Sequence, residues 1–352
     1  MSGELMAVPV DVLTAGPEFW KRYHEYRRVR QKDERPEDPV RPDDLDQKRL
    51  AQANPFEFEY RYEVVREGVI LSMLSGRTVK PGNPEYESNK HIFWTHFYVR
   101  PDERRRGIGA SWLPVVLELM DRHGCTVVSM WAEGEPGYAF LGWAGAEAKF
   151  SGAENRLRIA DVDWAMLQRW VEEGQARSPL TRLEIHDGFL PESMWAEYAP
   201  QLSTMLNTMP WEGLDHGDIV VTPDHVKHHN ERWAAGREIP HTVLTREPDG
   251  AMSAVTDVTW APYRSTIVHQ EFTGVLPTAR GRGLGKWIKA AMLLHLRKLY
   301  PDIQWVATAN AGSNAPMLAI NTKMGFRQYR AGKEYQMTRD QVAARIRSLK
   351  PA

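Results

Sequence analysis

Two stretches of this chain carry the same spacing of arginine and glycine. Val275-Leu276-Pro277 runs into Arg280-Gly281-Arg282-Gly283-Leu284-Gly285-Lys286, and Val99-Arg100-Pro101 runs into Arg104-Arg105-Arg106-Gly107-Ile108-Gly109-Ala110. Glycines at such positions let backbone N–H groups come close to a ligand. A helix starting at that point adds unpaired N–H donors and a partial positive charge. Arg280, Arg282 and Lys286 contribute formal charge. These features describe a seat for a pyrophosphate. The dinucleotide pattern GxGxxG does not fit, because Lys286 stands at its third glycine. A Walker loop does not fit either, since the span from Gly281 is one residue short and Trp287 follows the lysine.

A nucleophile that reacts beside such a seat must give up its proton to a nearby group. Strand side chains alternate, which puts Ile267, His269, Glu271, Thr273 and Val275 on one face of the segment entering the second seat. Consecutive polar residues on one face of an interior strand suit a wet cleft. His269 and Glu271 are the candidate bases, acting directly or through a water, and mutual pairing is the structural alternative. Gly109 and Gly285 lie 176 residues apart (285 − 109), half of the 352-residue chain, so two copies of one domain are expected. The same subtraction places Phe93 and Thr95 opposite His269 and Glu271, leaving the first copy without a base on that face.

The elements that must hold these residues follow from periodicity. The second seat lies between a β-branched strand (265–275) and a helix (283–299) with apolar residues at Leu284, Trp287, Ile288, Ala291 and Leu294. The first lies between a strand (91–99) and a helix bent by Pro114. Upstream, helices are expected at 17–30 and, capped by Asp43, through Leu50. Strands at 56–65 and 69–74 and a loop at 80–88 follow. A strand (125–131), a short helix (137–144), a closing pair of strands within 147–159 and a helix (163–173) complete the first copy, before a linker-like run at 174–179. The second copy repeats the order. Its strands fall at 180–186, 239–246, 251–260, 303–308 and 325–337, and its helices at 191–209, 223–235, 314–323 and 340–349. Domains of 1–176 and 177–352 result, and the class is α/β with an α+β mixed sheet.

Composition narrows the function. Lys plus Arg total 45 and Asp plus Glu 46, a net charge of −1, so neither nucleic acid nor a membrane surface is the expected partner. The single cysteine, Cys125, excludes an internal disulfide and a Cys-rich zinc site. No apolar run approaches the ~20 residues of a membrane span, and the N-terminus lacks a signal-peptide pattern. A cytoplasmic monomer or homodimer is expected. Asp224, His225, His228 and His229 share a helix without an evident third metal ligand, so no metal site is expected. Met205, Met209, Trp211, Glu212, Asp215 and Asp218 form an acidic and aromatic loop suited to a cationic amine.

The Val-x-Pro and Arg-x-x-Gly-x-Gly blocks, with Asn310, Asn314, Met317 and the Met324-Gly325-Phe326 run, resemble the GNAT (Gcn5-related N-acetyltransferase) superfamily. The tandem arrangement is similar to that of members such as mycothiol synthase, whose substrate is not carried over. The resemblance implies a sheet splayed to admit a thioester, and direct transfer of acetyl from acetyl-CoA (coenzyme A) to a small-molecule amine. It further implies that Val275 and Leu276 hold the pantetheine by their backbone, that residues 280–286 bind the diphosphate, and that Asn310, Asn314 and Asn321 line the cofactor arm. Val99 and residues 104–110 would do the same in the first copy. Many members carry a tyrosine where Asn321 stands, and the first copy has Leu141 there. Asn donates a hydrogen bond but no proton. Two functions are therefore expected in order: an N-acetyltransferase active in its second domain, then a non-catalytic acyl-CoA sensor.

Overall fold

Alternating apolar positions build the strands, and helices with one apolar stripe cover their faces. The computed structural model describes residues 6–349. In chain order the elements are β1 (Ala7–Pro9), α1 (Pro17–Glu34), α2 (Asp43–Leu50), β2 (Glu57–Arg66), β3 (Val69–Val79), α3 (Tyr86–Asn89), β4 (Ile92–Val99), α4 (Ile108–His123), β5 (Val127–Glu133), α5 (Gly134–Ala144) and β6 (Glu147–Arg158). Then come α6 (Trp164–Arg177), β7 (Arg182–Asp187), α7 (Trp195–Leu206), α8 (Pro223–Ala235), β8 (Ile239–Arg246), β9 (Met252–Trp260), β10 (Ile267–Val275), α9 (Leu284–Leu299), β11 (Trp305–Ala311), α10 (Ala315–Met324), β12 (Arg327–Thr338) and α11 (Arg339–Leu349).

The chain forms two compact units that interleave in sequence. The first contains residues 1–151, 211–218 and 332–352, and the second contains 152–210 and 219–331. Division at residue 176 would put 152–176 with the first copy and 332–352 with the second. In the structure the last strand of each half is exchanged.

In the first unit β1, β2, β3 and β4 pair in antiparallel order, β4 runs parallel to β5, and β5 pairs antiparallel with Gly332–Thr338 of β12. In the second unit β7, β8, β9 and β10 are antiparallel neighbours, β10 runs parallel to β11, and β11 pairs antiparallel with Gly152–Arg158 of β6. Each sheet is therefore mixed, with one parallel pair at its centre. In the first unit Phe93, Trp112, Leu119 and Val128 pack under α4, while Tyr26, Ile70 and Tyr98 pack under α1. In the second, Val268, Trp287, Ile288 and Leu157 pack under α9, while Tyr198, Met205, Leu244 and Val255 pack under α7.

Several local expectations are corrected. Residues 147–158 form one strand, β6, where a closing pair was expected. The linker-like run begins inside α6, which continues to Arg177. Gly174 is buried there because a Cβ would stand 2.5 Å from the Trp287 ring, so close helix packing demands the glycine and no turn does. The 80–88 loop ends in the short α3. Asp43 is the first residue of α2 and pairs with Arg27 at 2.6 Å; it does not cap the helix.

Candidate active site

The central parallel strands of both units are joined only at one end. In the first unit residues 92–95 of β4 face 127–130 of β5, and the ladder then stops although both strands continue. In the second, residues 267–270 of β10 face 305–308 of β11, and the strands part after Gln270. Past each gap the chain makes a one-turn 3-10 segment and a glycine turn, then enters α4 or α9.

Each glycine turn presents backbone N–H groups at the start of a helix. Gly281 and Gly283 both hold φ of +82°, a left-handed conformation that L side chains rarely adopt. A Cβ on Gly281 would meet nothing within 4 Å, so backbone lines an open concavity. Leu284 is buried and so offers only its backbone, and the first turn of α9 leaves N–H groups without intrahelical acceptors. These observations fit the diphosphate of a CoA. Arg280 is held beside the turn by Val275 O (3.4 Å) and Thr208 Oγ1 (2.6 Å). The structure ties Arg282 to Glu247 (2.9 Å) and Thr181 (2.6 Å), and lays Lys286 over the Trp170 ring at 5.4 Å. Backbone N–H groups and Arg280 flank the turn, and Arg177 Nη1 stands 3.4 Å from the place of a Cβ on Gly283. Leu276 N donates to Ser253 O (2.9 Å). In α10, Asn314 Oδ1 caps the helix at Met317 N, and Asn321 Nδ2 donates to Asn310 Oδ1 at 2.7 Å.

The first unit repeats the turn with two differences. Arg105 occupies φ +63° where the second unit has Gly281, while Gly107 keeps +85° as the helix N-cap and Ile108 is buried. Arg104 bonds Val99 O (3.2 Å), the counterpart of Arg280 on Val275, and pairs with Asp33. Arg106 reaches Glu103 at 3.1 Å. The place of a Cβ on Gly109 is 2.9 Å from the Phe140 ring, and Phe140 makes an edge contact with Phe97 at 5.1 Å. At the matching position Gly285 has Ile320 at 3.5 Å.

The entering strands differ by one residue. Gln270 pairs with Val258 and Phe272 with Asp257, so Glu271 is an extra residue in a β-bulge. β4 pairs with β3 in unbroken register. Before the bulge the two strands therefore match with an offset of 175 (267 − 92), and after it with 176. His269 corresponds to Trp94, and Glu271 has no counterpart. The uniform subtraction that gave Phe93 and Thr95 is corrected. So is the expectation of one continuous face, because the bulge reverses the alternation. His269, Glu271 and Phe272 lie on the α7 side, and Thr273 and Val275 on the α9 side with Gln270 and Thr256.

Glu271 is held in place. The buried Arg264 donates to Thr259 Oγ1 (2.8 Å) and to the Thr259 and Ile267 carbonyls. With that oxygen already accepting, Thr259 turns its O–H to Glu271 at 2.5 Å. Glu271 is open at its mouth but walled by protein, and this burial raises its pKa above the usual glutamate range despite Thr259 and Arg264, which pull it down. Asp257 lies on the same face, buried, accepting from Tyr198 (2.7 Å) and Thr242 (2.6 Å), and burial raises its pKa as well. His269 is exposed. On the corresponding face of the first unit, His96 lies 3.4 Å from Arg30, and burial together with that guanidinium pushes its pKa down to about 3. Asp257, Thr259 and Arg264 were not anticipated. The single acid in the run Thr256-Asp257-Val258-Thr259 is the one sequence signal that pointed to them.

The acetyltransferase (GNAT) family model matches residues 20–140. A solved structure of a tandem GNAT protein from the clavulanic acid biosynthesis pathway superposes with a TM-score of 0.73 at 20% identity, covering 96% of this chain and 99% of that one. The chain has the fold of a tandem GNAT protein. A GCN5-related N-acetyltransferase from Sphaerobacter thermophilus also aligns, with a TM-score of 0.60 at 11% identity over 95% of both chains. A glucosamine N-acetyltransferase region of a fungal multi-domain β-N-acetylglucosaminidase aligns at 0.63 and 13%, over 94% of this chain and 38% of that one. These identities speak for fold alone. No curated protein matches the sequence. Among the described residues, no helix is long and apolar enough to cross a membrane. The loop residues Trp211, Glu212, Asp215 and Asp218 pack in the first unit, where Asp215 meets His91 at 2.9 Å and Trp211 stacks on His216 at 4.7 Å. Met205 belongs to α7 of the second unit and is buried against the sheet.

Proposed function

We propose that this chain is a tandem GNAT protein, an acetyl-CoA-dependent N-acetyltransferase for a small-molecule amine, with the second unit active and the first silent. The observation that carries this proposal is the bulge at Glu271, which puts a carboxylate of raised pKa where β10 and β11 part. When bound, acetyl-CoA supplies the thioester carbon. The turn at Gly281–Lys286 and Arg280 hold its diphosphate, and the Val275–Leu276 backbone positions the arm. The NH2 of Asn314, whose oxygen is the helix cap, is free to donate to that arm. Glu271, or His269 beside it, accepts the proton that the attacking amine loses, and the raised pKa brings Glu271 closer to neutrality, where a general base works best. His96 in the first unit, with its pKa near 3, is a poor base, and the Phe97–Phe140 contact fills the place where the arm would pass.

Free thiol is followed with acetyl-CoA and an amine panel. Release with one or more amines, lost in Glu271→Gln while CoA still binds, supports the enzyme. Tight CoA binding without release for any amine supports the sensor, a reading that Asn321 at the usual tyrosine position favours. A first-unit active site is favoured by the family match at residues 20–140 and by Glu334, whose pKa is raised by burial beside Ser129. In that case Arg104→Ala abolishes turnover and Arg280→Ala does not.

A further inference from the structure

Three side chains of the second unit, far apart in sequence, converge outside the cleft. Asp187 ends β7 and is the cross-strand neighbour of His241 in β8. His295 comes from the C-terminal half of α9. Asp187 Oδ1 stands 2.7 Å from His241 Nδ1 and 2.7 Å from His295 Nε2, and the three donor atoms lie within 4.8 Å of one another. We propose that Asp187, His241 and His295 bind a divalent transition metal, taken as Zn2+, that staples β7 and β8 to α9.

Two imidazoles and one carboxylate are a donor set for zinc and its neighbours, not for Mg2+ or Ca2+. In a tetrahedral site with ~2.0–2.1 Å bonds, donors stand roughly 3.3 Å apart. Seating an ion lengthens the two Asp187 contacts by about half an ångström and draws the two ring nitrogens, which lie within 4.8 Å of each other, to a similar spacing, leaving the fourth position to water on the side of the exposed Asp187. An outer partner for one ligand is already in place. His241 Nε2 lies 2.8 Å from Tyr300 Oη, and Tyr300 is fixed by stacking on Trp260 at 4.3 Å. A metal-bound histidine needs an acceptor for its other ring N–H. On binding, the His241 proton moves from Nδ1 to Nε2 and is donated to Tyr300, whose own O–H turns away. The His295 proton moves likewise from Nε2 to Nδ1. Both rings stay neutral and no redox partner is involved. The histidines of α8 do not assemble such a group, since His225 serves a capping box with Thr222.

The test uses the full chain, stripped with a chelator, desalted and titrated with Zn2+ alone by calorimetry, with the Co2+ absorption spectrum as a second readout. One equivalent is expected. It should be lost in His295→Gln and in Asp187→Asn, whose side chains are 23% and 52% exposed, so folding, checked by circular dichroism, survives. Tyr300→Phe should weaken it about tenfold, and His228→Gln should leave it intact. The tetrahedral Co2+ band should vanish in His295→Gln. Absence of Zn2+ binding, equal binding in His295→Gln, or its loss in His228→Gln overturns the proposal and leaves the trio a hydrogen-bonded clamp. None of these outcomes depends on acetyl transfer.

Discussion

β4 and β10 enter their glycine turns from equivalent places in the two units, and one inserted residue distinguishes the two strands. Both make four parallel pairs and then leave their partner strand. β4 does so in regular register, with Trp94, His96 and Tyr98 facing α1 and His96 closed in against Arg30. β10 does so through a bulge, which adds Glu271 at the parting point and sends Thr273 to the other face. Below the turns the contrast continues, with an aromatic pair in the first unit and the smaller Thr273 and Ile320 in the second. Both units thus keep the glycine turn, and they differ in the acid beside it and in the space behind it.

The largest expected effect comes from the inserted acid. Glu271→Gln should lower turnover by about 10²–10⁴-fold without changing CoA affinity, whereas His96→Gln should leave turnover alone. Since a protonated carboxyl cannot take the amine's proton, kcat/KM should rise with pH through a value above the ordinary glutamate pKa of about 4.3. That limb should be missing in the Gln variant, and its persistence would point to His269.

A second break concerns stoichiometry. Calorimetry with CoA should give one site per chain, and Phe140→Ile, the residue of the second unit, should raise it towards two. Two sites in the wild type would end the contrast between the gaps.

A third prediction uses the buried Lys289, which donates to Gln270 and occupies the place of Leu113 in the first unit. Burial lowers its pKa to about 7, against about 10.4 unfolded. Between those values the unfolded chain binds the extra proton. The penalty is therefore full below about pH 7 and fades as pH rises towards 10.4. Lys289→Met should stabilise the second unit by on the order of 1–3 kcal/mol near pH 6, less what Gln270 loses, and the gain should shrink in denaturation curves at higher pH.

The smallest effect is expected at Arg282. Its bonds to Glu247 and Thr181 are partly exposed, so Arg282→Ala should lower stability by about 1 kcal/mol. It should weaken CoA binding less than Arg280→Ala.

Much of the fold was legible because it repeats. The Val-x-Pro and glycine spacings locate both glycine turns, and the apolar period locates α4 and α9. The last strand of the second half is legible as a strand while that of the first reads as a closing pair, and neither pattern shows the exchange, because a strand's pattern states which face is apolar and does not name the partner it pairs with. Gly174 was misplaced for a related reason. A glycine required by a neighbouring ring looks in sequence like one required by a turn, and only the Trp287 contact separates them.

By itself the sequence determined that the chain has two strand–glycine turn–helix modules, a balanced surface charge and two candidate bases before the second turn, since these depend on residue type and short-range period. Tertiary structure alone decided that Glu271 is an insertion with a raised pKa, that Arg282 is tied to Glu247, and that Asp187, His241 and His295 meet. Each of those facts depends on strand register or on side chains brought together from more than thirty positions apart, and no local pattern encodes the distance between them.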